Sequence, residues 1–257
     1  ENATPPRSPG TITSYRSTMR AHVLPTLGSK PLNTITAEDV QDVIDRASAG
    51  GKDSAGRNVA RTLKACLNAA IKNGVGMLKK NPAAGLKVKA SRRRTDEEIP
   101  TLAELREITA NMPDNLKLAV ELAAWCSLRA GEVLGLQRRD LRNLNTPDKA
   151  TLSIDRQWLS KATPPDYAAP KEGSFRTVAI PAALVPKIKA HLDAHTGPGQ
   201  TAPLFPSTQN PKRPTSYNVL QKTWNAAREP VRPVTFHSLR HFGLTQYAQL
   251  GATPTET

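Results

Sequence analysis

Apolar residues in the first third of the chain recur with the spacing of amphipathic helices. The pattern predicts helices at about residues 12–23, 37–47 and 54–73. Residues 11–92 are therefore predicted to form a helical bundle, preceded by a proline-rich linker at residues 1–10. The first helix is predicted to stop at Pro25, the second to begin after the capping residue Thr36, and the third to end at Gly74.

Beyond residue 100 the pattern becomes a mixture of helices and short strands. The capping-box sequence Thr101-Leu102-Ala103-Glu104 predicts the start of a helix, and the nearly all-apolar stretch Asn115–Ser127 predicts a buried one. Alternation predicts two short strands at residues 151–154 and 176–180, joined by a proline-containing loop. The predicted fold is mainly α with a small antiparallel β-sheet. Three further helices are predicted, at residues 181–195, at residues 216–227 and from about residue 237.

A reversal of charge separates these two regions. The basic run from Lys87 to Arg94 is followed directly by the acidic stretch Thr95-Asp96-Glu97-Glu98. In neither stretch do apolar residues recur with the spacing of a helix or a strand. We therefore expect an interdomain linker at residues 93–100, between a domain of residues 11–92 and a domain of residues 101–257.

The positive charge is concentrated in the first domain. The net charge is +14, and residues 1–95 contribute +11 of it, with 17 Lys and Arg against 6 Asp and Glu. Such a surplus indicates binding to a polyanion. A membrane surface is the rival polyanion, but the most apolar stretch, Leu116–Leu128, is interrupted by Lys117 and Glu121. No segment is therefore predicted to span a membrane.

The predicted third helix carries a basic stripe. Its residues Arg57, Arg61, Lys64, Asn68 and Lys72 fall within an arc of roughly 80° that contains no acid. A plain solvated helix face is one interpretation. Because the whole domain is basic, we favour a helix that lies along a DNA groove. Three arginines at the junction of the first domain and the linker are interpreted either as crossing a phosphate backbone or as part of a plain tether: Arg92, Arg93 and Arg94.

Near the end of the chain, three chemically active side chains share one face of a predicted helix. His237, Arg240 and His241 are spaced at i, i+3 and i+4, while Leu239 and Phe242 point to the opposite side. A guanidinium group beside two imidazoles suits an anion that takes part in proton transfer. A solvated basic face is the alternative.

A second arginine lies in an unusual place. Arg129 directly follows the predicted buried helix and precedes another apolar segment. An arginine between two apolar segments is costly unless its charge is matched. Glu132 is predicted to orient it, and a bound phosphate is predicted to satisfy its remaining donors. A purely structural pair of Arg129 and Glu132 is the alternative.

The remaining composition indicates an intracellular protein. The first residues, Glu1 to Pro6, lack the apolar core of a signal peptide, and the chain is interpreted as an excised fragment. Cys66 and Cys126 lie in apolar helical contexts without metal or redox spacing. They are predicted to be buried thiols in a reducing compartment such as the cytoplasm.

Four motifs follow one another along the chain: Leu128-Arg129-Ala130-Gly131-Glu132; Pro170-Lys171 with Ser174, Arg176 and Ile180-Pro181; Leu204-Phe205-Pro206; and His237-Ser238-Leu239-Arg240-His241. In this order they resemble the tyrosine recombinases of the phage integrase family. Residues from about 10 to 92 also resemble the helical core-binding domain of that family, and Asn81-Pro82 closes it. The resemblance covers nearly the whole chain and implies a core-site DNA-binding domain at residues 11–92 and a mixed α+β catalytic domain at residues 101–257.

The resemblance implies roles for the residues in these motifs. Arg129 and Arg240 would clamp the non-bridging oxygens of the scissile phosphate. Lys171 would protonate the leaving 5′ oxygen, and His237 would assist the proton transfer. In such enzymes a tyrosine attacks the DNA to give a 3′-phosphotyrosyl link, without metal or other cofactor. Two further residues of the chain, Glu132 and His241, would support these catalytic side chains.

The chain departs from the family at its end. The family's third His or Trp and its tyrosine lie several tens of residues beyond the second arginine, and this chain stops at Thr257. Tyr247, on the same predicted helix as Arg240, is interpreted as a packing residue. We therefore expect a fragment that lacks the nucleophile and binds DNA without cleaving it. A removed arm-binding domain is also expected before residue 1.

The implied function is site-specific recombination that integrates or excises a phage or another mobile element. The implied partners are double-stranded DNA attachment sites and a DNA-bending accessory protein. The protein itself is expected to form a homotetramer on DNA and to be a monomer away from DNA. A non-catalytic, sequence-specific DNA-binding protein derived from a recombinase is the alternative. A type IB topoisomerase shares the phosphotyrosine chemistry, but the basic helical domain and the Pro170-Lys171 context fit integrases better.

Overall fold

The chain divides into two compact units, residues 1–93 and residues 94–257. Each unit has a hydrophobic core of its own. Most elements are helices, and the strands form small antiparallel sheets, which confirms the predicted fold class. The computed structural model on which this description rests covers residues 9–86, 88, 99–162, 164–170 and 174–249.

The described part of the first unit is helical. A π-helical turn, Met19–Val23, joins the first two helices. The prediction that the first helix stops at Pro25 was wrong, because Pro25 lies in the first turn of the second helix, where its missing N–H is not needed. The α-helices are α1 (Pro9–Thr18), α2 (Leu24–Leu27), α3 (Ala37–Ser48) and α4 (Asp53–Lys72), with short 3₁₀ turns at Leu32–Thr34, Ala49–Gly51 and Val75–Met77.

The core of the first unit lies between α3 and α4. Thr36 caps α3 as predicted, since its hydroxyl accepts a hydrogen bond from the Asp39 N–H at 3.2 Å. Gly56 on α4 allows the two helices to approach closely, because a Cβ there would meet the Ser48 hydroxyl and lie 3.1 Å from the Ile44 carbonyl oxygen. The two helices bury their apolar faces between them, mainly through Val40, Val43, Ile44, Val59, Leu63 and Leu67.

The second unit is built around one buried helix. That helix, Asp114–Trp125, ends before the predicted Ser127, because Ser127 has φ 52° and cannot continue a right-handed helix. The predicted capping box at Thr101 is formed, with its N–H donating to Glu104 Oε2 at 2.6 Å. The helices are α5 (Leu102–Asn111), α6 (Asp114–Trp125), α7 (Ala130–Gly135), α8 (Val185–His195), α9 (Tyr217–Arg228) and α10 (Ser238–Gln249).

Five short strands form two antiparallel sheets in the described part of this unit. The strands β1 (Leu141–Arg142), β2 (Thr151–Ile154) and β5 (Arg176–Ala179) form a three-stranded sheet in the order β1-β2-β5. The strands β3 (Gln157–Leu159) and β4 (Asp166–Ala168) form a separate hairpin. The interpretation of the segment between β2 and β5 as a plain loop was therefore wrong. The described part of the unit also contains three 3₁₀ turns: Arg138–Asp140, Pro147–Lys149 and Ala182–Leu184.

The close contact of α10 with α6 brings two distant parts of the chain together. The Trp125 and Phe242 rings lie 5.4 Å apart, edge to face. A Cβ on Gly243 would meet the Ala124 carbonyl and lie 2.5 Å from the Ser127 hydroxyl oxygen, so only glycine fits there without a shift. The start of α10 is thus fixed against the turn that follows α6.

The two cysteines differ in their environment. Cys126 is buried at the end of α6, and burial raises the pKa of its thiol to about 12. Cys66 on α4 is half-buried, and burial also raises the pKa of its thiol. The prediction of buried thiols is confirmed for Cys126 and holds only in part for Cys66.

Candidate anion-binding site

Arg129 lies in the short connection between α6 and α7, at the N-cap position of α7. Its backbone N–H donates to Glu132 Oε2 at 3.0 Å, and its Nη1 donates to Glu132 Oε1 at 2.8 Å. The predicted pair of Arg129 and Glu132 is therefore formed. Because Glu132 lies three residues further on, in the first turn of α7, the local sequence is sufficient to place these two groups together.

Glu132 is also held by a third residue that the local sequence does not reveal. Its carboxylate, 2% exposed, accepts from Arg176 Nη2 at 2.8 Å and from Arg176 Nη1 at 3.4 Å. Burial alone raises the pKa of the Glu132 carboxyl, but hydrogen bonds from Arg176 and then Arg129 outweigh burial, so the pKa lies below its ordinary value. Glu132 is thus a buried anion between two guanidinium groups.

Arg240 joins the same group through the backbone at Ser127. Its Nη1 donates to the Ser127 carbonyl oxygen, which Arg176 Nη2 also approaches at 3.4 Å. The left-handed conformation of Ser127 belongs to the turn that presents this carbonyl. We call Arg129, Arg176 and Arg240 the guanidinium cluster. Three positive groups thus lie around one carboxylate.

Within the described residues, the cluster contains three guanidinium groups and a single carboxylate, that of Glu132, so its positive charge is in excess. The pKa of the Arg240 guanidinium is lowered by burial first, and then by the positive charges of Arg129 and Arg176. An arginine nevertheless stays protonated at any ordinary pH. A bound anion relieves this excess, because it places negative charge where the guanidinium groups repel one another.

Arg129 and Arg240 retain donors for such an anion. Within the described residues, only Nη1 of each side chain contacts a protein acceptor, the Nη1 of Arg129 also reaching Ser174 Oγ at 3.2 Å. The Arg129 side chain is 35% exposed, so solvent reaches it. Two guanidinium forks with unused N–H groups match the oxygens of a phosphate.

The two predicted histidines lie beside each other at the start of α10. The rings of His237 and His241 are 5.0 Å apart and nearly perpendicular. His237 is exposed and His241 is partly buried. The predicted apolar anchor on the other side of the helix is confirmed, since Leu239 and Phe242 are 0% and 4% exposed.

Lys171 lies outside the described residues, so the structure does not test the role that the resemblance implies for it. The described residues after it do reach the cluster. The Ser174 carbonyl accepts from Arg176 Nη1 at 3.0 Å, and its hydroxyl accepts from Arg129 Nη1 at 3.2 Å. Ser174 is therefore a direct link between the start of β5 and the cluster.

The basic stripe of α4 forms a separate candidate interface in the first unit. Arg61, Lys64 and Lys72 are exposed, and Arg57 is partly buried. Among the described residues, Arg61, Lys64 and Lys72 form no ion pair with an acid. Asn68, within the stripe, accepts from the Asn81 side chain at 2.6 Å. The three arginines at the junction of the first domain and the linker lie outside the described residues: Arg92, Arg93 and Arg94.

Sequence reasoning missed the contribution of Arg176 and Ser127 to the site. Arg176 stands in one of the four motifs, but the resemblance assigned it no role. One signal was present, since alternate residues of a strand share a face and Arg176 alternates with Val178 and Ile180. An arginine in an inward-facing register of a strand indicates a buried acidic partner.

The described residues contain neither a candidate metal site nor a candidate membrane span. No group of three or more His, Cys, Asp or Glu side chains among them is arranged to hold a metal ion. None of their helices combines the length and the apolar character needed to cross a membrane.

Two family models match the chain. Residues 1–89 match the phage integrase central domain, and residues 93–256 match the phage integrase family. The prophage phiRv2 integrase of Mycobacterium tuberculosis is 29% identical to this chain over 245 residues, which are 94% of the chain and 64% of that relative. The chain thus spans less than two thirds of that integrase.

Solved structures share the fold. A Tn1549 transposon integrase in complex with transposon right end DNA superposes with a TM-score of 0.72 at 20% identity, covering 96% of this chain and 83% of that one. A lambda integrase tetramer bound to a Holliday junction superposes with a TM-score of 0.69 at 20% identity, covering 96% and 69%. At this level of identity the likeness concerns the fold.

Proposed function

The chain belongs to the phage integrase family, and on this premise we propose that it acts as part of a site-specific tyrosine recombinase. Such an enzyme cleaves and rejoins DNA through a 3′-phosphotyrosyl intermediate and integrates or excises mobile DNA. The observation that carries the proposal is the guanidinium cluster, where Arg129 and Arg240 keep unused donors beside a charge excess.

The roles of Arg129 and Arg240 follow from the charge that develops during phosphoryl transfer. The scissile phosphodiester carries one negative charge, and the pentacoordinate transition state concentrates more charge on its non-bridging oxygens. Fixed donors aimed at those oxygens stabilise the transition state more than the ground state. We assign Arg129 and Arg240 to this task, with Glu132 and Ser127 holding them from the protein side.

Proton transfer to the leaving 5′ oxygen is assigned to Lys171, assisted by His237. Lys171 precedes Ser174, which contacts the cluster, by three positions in the sequence. His237 precedes α10, whose Arg240 belongs to the cluster. His241, in ring contact with His237, is assigned a supporting role.

No tyrosine among the described residues is assigned as the nucleophile. The Tyr247 hydroxyl donates to the Trp125 carbonyl oxygen at 3.1 Å, and burial raises the pKa of its phenol. Tyr167 packs on Trp158 with ring centroids 4.9 Å apart. The Tyr217 hydroxyl lies 2.9 Å from Gln221 Oε1. These contacts support packing roles.

The first unit is proposed to bind the core of the attachment site. Its domain, residues 11–92, presents the α4 stripe to double-stranded DNA through four basic residues, and the linker at residues 93–100 follows the phosphate backbone. The domain of residues 101–257 contains the reaction site. The proposed DNA-contacting residues are Arg57, Arg61, Lys64, Lys72, Arg92, Arg93 and Arg94.

The proposed assembly is a homotetramer on two duplexes. The lambda integrase tetramer on a Holliday junction supports this proposal, because strand exchange between two duplexes requires four cleavages. A DNA-bending accessory protein is a further proposed partner, and the cytoplasm of a bacterial host is the proposed location. We propose that the chain is monomeric away from DNA.

A covalent-adduct experiment tests the proposed reaction. The natural protein at its full length is incubated with a nicked duplex that spans a junction between the mobile element and the host chromosome. We expect a denaturant-resistant protein–DNA adduct from the wild type, and none from Arg240→Ala or Lys171→Ala. The matched control is Arg228→Ala, which removes an arginine of α9 outside the cluster and leaves the adduct intact. A salt-dependent gel shift without any adduct contradicts the proposal and supports a protein that only binds DNA.

A further inference from the structure

Arg176 is the member of the cluster whose position is least expected from its surroundings. It lies on β5 opposite Ile154 of β2, in register with residues that face the hydrophobic core. Its side chain is 24% exposed. A guanidinium group at such a position is retained only if its donors are satisfied, because burial without partners is strongly unfavourable.

The protein satisfies both terminal nitrogens of Arg176. Nη1 reaches the Ser174 carbonyl at 3.0 Å and Glu132 Oε1 at 3.4 Å. Nη2 reaches Glu132 Oε2 at 2.8 Å and the Ser127 carbonyl at 3.4 Å. Arg129 and Arg240 differ, since one terminal nitrogen of each contacts the protein in the described part of the chain. Arg176 is thus committed to internal acceptors.

The acceptors that Arg176 holds are the same ones that orient the other two arginines. Glu132 binds Arg129, and the Ser127 carbonyl binds Arg240. We propose that Arg176 is a positioning residue: by bonding to Glu132 and to the Ser127 carbonyl, it leaves the unused donors of Arg129 and Arg240 available to the scissile phosphate. This inference rests on the proposed function and assigns Arg176 no contact with DNA.

Removal of Arg176 is expected to misplace Arg129 in one of two ways. If Glu132 stays ionised, Arg129 becomes its only side-chain partner among the described residues and turns its second terminal nitrogen towards the carboxylate, away from the phosphate. If Glu132 takes up a proton, it no longer fixes Arg129. Protonation of Glu132 becomes more frequent as the pH falls, because burial raises the pKa of its carboxyl and the hydrogen bonds from Arg176, the largest opposing effect, are lost.

The charged groups around Glu132 set the direction of this pH effect. Arg129 at the start of α7, Arg176 on β5 and Arg240 on α10 are all positive, and the Cys126 thiol at the end of α6 stays neutral because burial raises its pKa to about 12. In Arg176→Met the pKa of Glu132 is therefore raised, and orientation of Arg129 is lost as the pH falls through that value. The loss of cleavage is expected to be greater at about pH 6 than at about pH 8.5.

The first measurement follows cleavage by the full-length natural protein on the nicked attachment-site duplex. We expect Arg176→Met to lower the single-turnover rate constant by about 10²-fold, since a misplacement of about 1 Å in a reacting group costs that much. DNA affinity should stay within about twofold. Arg176→Lys should keep the pH profile of the wild type, and Glu132→Gln combined with Arg176→Met should remove the added pH dependence.

A matched control separates positioning from general damage to the fold. Arg156 is another partly buried arginine of the same unit, and its Nη1 pairs with Asp140 Oδ2 at 2.5 Å. Arg156→Met breaks a comparable pair outside the cluster and should lower the melting temperature without changing the rate constant or the pH profile. Equal losses of cleavage in both variants, or a wild-type rate and pH profile in Arg176→Met, overturn the proposal.

A second measurement does not depend on cleavage. In the 257-residue chain, carbon-13 NMR of the Glu132 carboxyl, assigned with Glu132→Gln, reports its pKa directly. Titration with inorganic phosphate, followed by the Nε–H signals of Arg129 and Arg240, reports whether those donors are available. We expect Arg176→Met to raise the pKa of Glu132 and to weaken phosphate binding, and Arg156→Met to do neither. If the wild type forms no adduct, the proposed function fails, while this measurement still decides the role of Arg176.

Discussion

The two units of the chain present their positive charge in opposite ways. On α4 of the first unit, basic side chains are spread along 20 residues of helix, mostly exposed. In the second unit, Arg129 and Arg176 contact one carboxylate that is 2% exposed, and Arg176 and Arg240 contact one backbone carbonyl. The first arrangement supplies charge in quantity, whereas the second supplies donors in fixed positions.

The two regions therefore act on DNA through different physical effects, one through net charge and the other through the geometry of hydrogen-bond donors. Exposed charges act through a long-range field that salt screens, so one cation there substitutes for another. Guanidinium groups fixed by short hydrogen bonds act through geometry, so a lysine cannot replace an arginine. The comparison therefore predicts graded effects of substitution on α4 and abrupt effects in the cluster.

The same substitution made in both regions gives the largest expected contrast. Arg240→Lys should lower the cleavage rate constant by about 10²- to 10³-fold, because the single nitrogen of lysine cannot reproduce the planar fork that holds one terminal nitrogen on the Ser127 carbonyl and aims the other at the phosphate. Arg61→Lys, on the exposed stripe, should leave the rate constant unchanged. Single-turnover cleavage at saturating protein measures both. Similar rate losses in the two variants contradict the distinction.

A pair of glycine substitutions gives the next largest effect, on stability. Gly243→Ala places a Cβ against the Ala124 carbonyl and 2.5 Å from the Ser127 hydroxyl oxygen, so we expect a loss of about 1–3 kcal/mol in the free energy of unfolding. Because this contact fixes α10, cleavage should fall as well. Thermal unfolding and single-turnover cleavage are the measurements.

Gly56→Ala is the counterpart in the first unit. Its Cβ meets the Ser48 hydroxyl, which can move more easily than a carbonyl, and alanine favours a helix by about 1 kcal/mol over glycine. We expect a smaller loss of stability and an unchanged cleavage rate constant. Gly199→Ala, where a Cβ meets nothing within 4 Å, is the neutral control. A greater loss in Gly56→Ala than in Gly243→Ala would contradict this order.

Charge removal on α4 should have a smaller, graded effect. Changing Arg57, Arg61, Lys64 or Lys72 to glutamine should lower the slope of log affinity against log salt by about 0.9 for each phosphate that the protein no longer neutralises. The cleavage rate constant at saturating protein should not change. Fluorescence anisotropy over a salt series measures the slope. Arg46→Gln, which changes an exposed side chain of α3, is the control that should not alter this slope.

The sequence predicted the helical architecture well because periodicity is a local property. The capping residues Thr36 and Thr101 and the buried α6 were all found from residues a few positions apart. The hairpin of β3 and β4 was missed, because strands of three residues are too short to show alternation. A proline within the first turn of a helix was mistaken for a helix end at Pro25.

The candidate site shows the same limit. Arg129 and Glu132 are three residues apart, so their pairing follows from helix geometry. Arg176 lies 44 residues from Glu132, and only the folded sheet brings them together. Ser127 was not recognised because its role depends on a backbone carbonyl and a φ of 52°, neither of which its side chain reveals. The sequence pattern therefore could not reveal contacts between residues far apart in the chain or the roles of backbone groups.

Ser127 allows the smallest and most specific test of the geometric interpretation. The residue is strained at φ 52°, and its buried hydroxyl has no hydrogen-bond partner among the described residues. Ser127→Gly removes both costs, while the greater flexibility of glycine in the unfolded chain opposes the gain. We expect a change within about 1 kcal/mol in the free energy of unfolding.

The carbonyl of residue 127, and not its side chain, holds Arg240 and Arg176. Ser127→Gly should therefore keep the cleavage rate constant of the wild type, measured in the same single-turnover assay. Ser127→Val keeps the carbonyl but places a β-branched residue in the left-handed region, which should displace it and lower both stability and cleavage. If Ser127→Gly lowers cleavage while the melting temperature is unchanged, the hydroxyl itself contributes to the reaction, and the cluster depends on more than the backbone geometry described above.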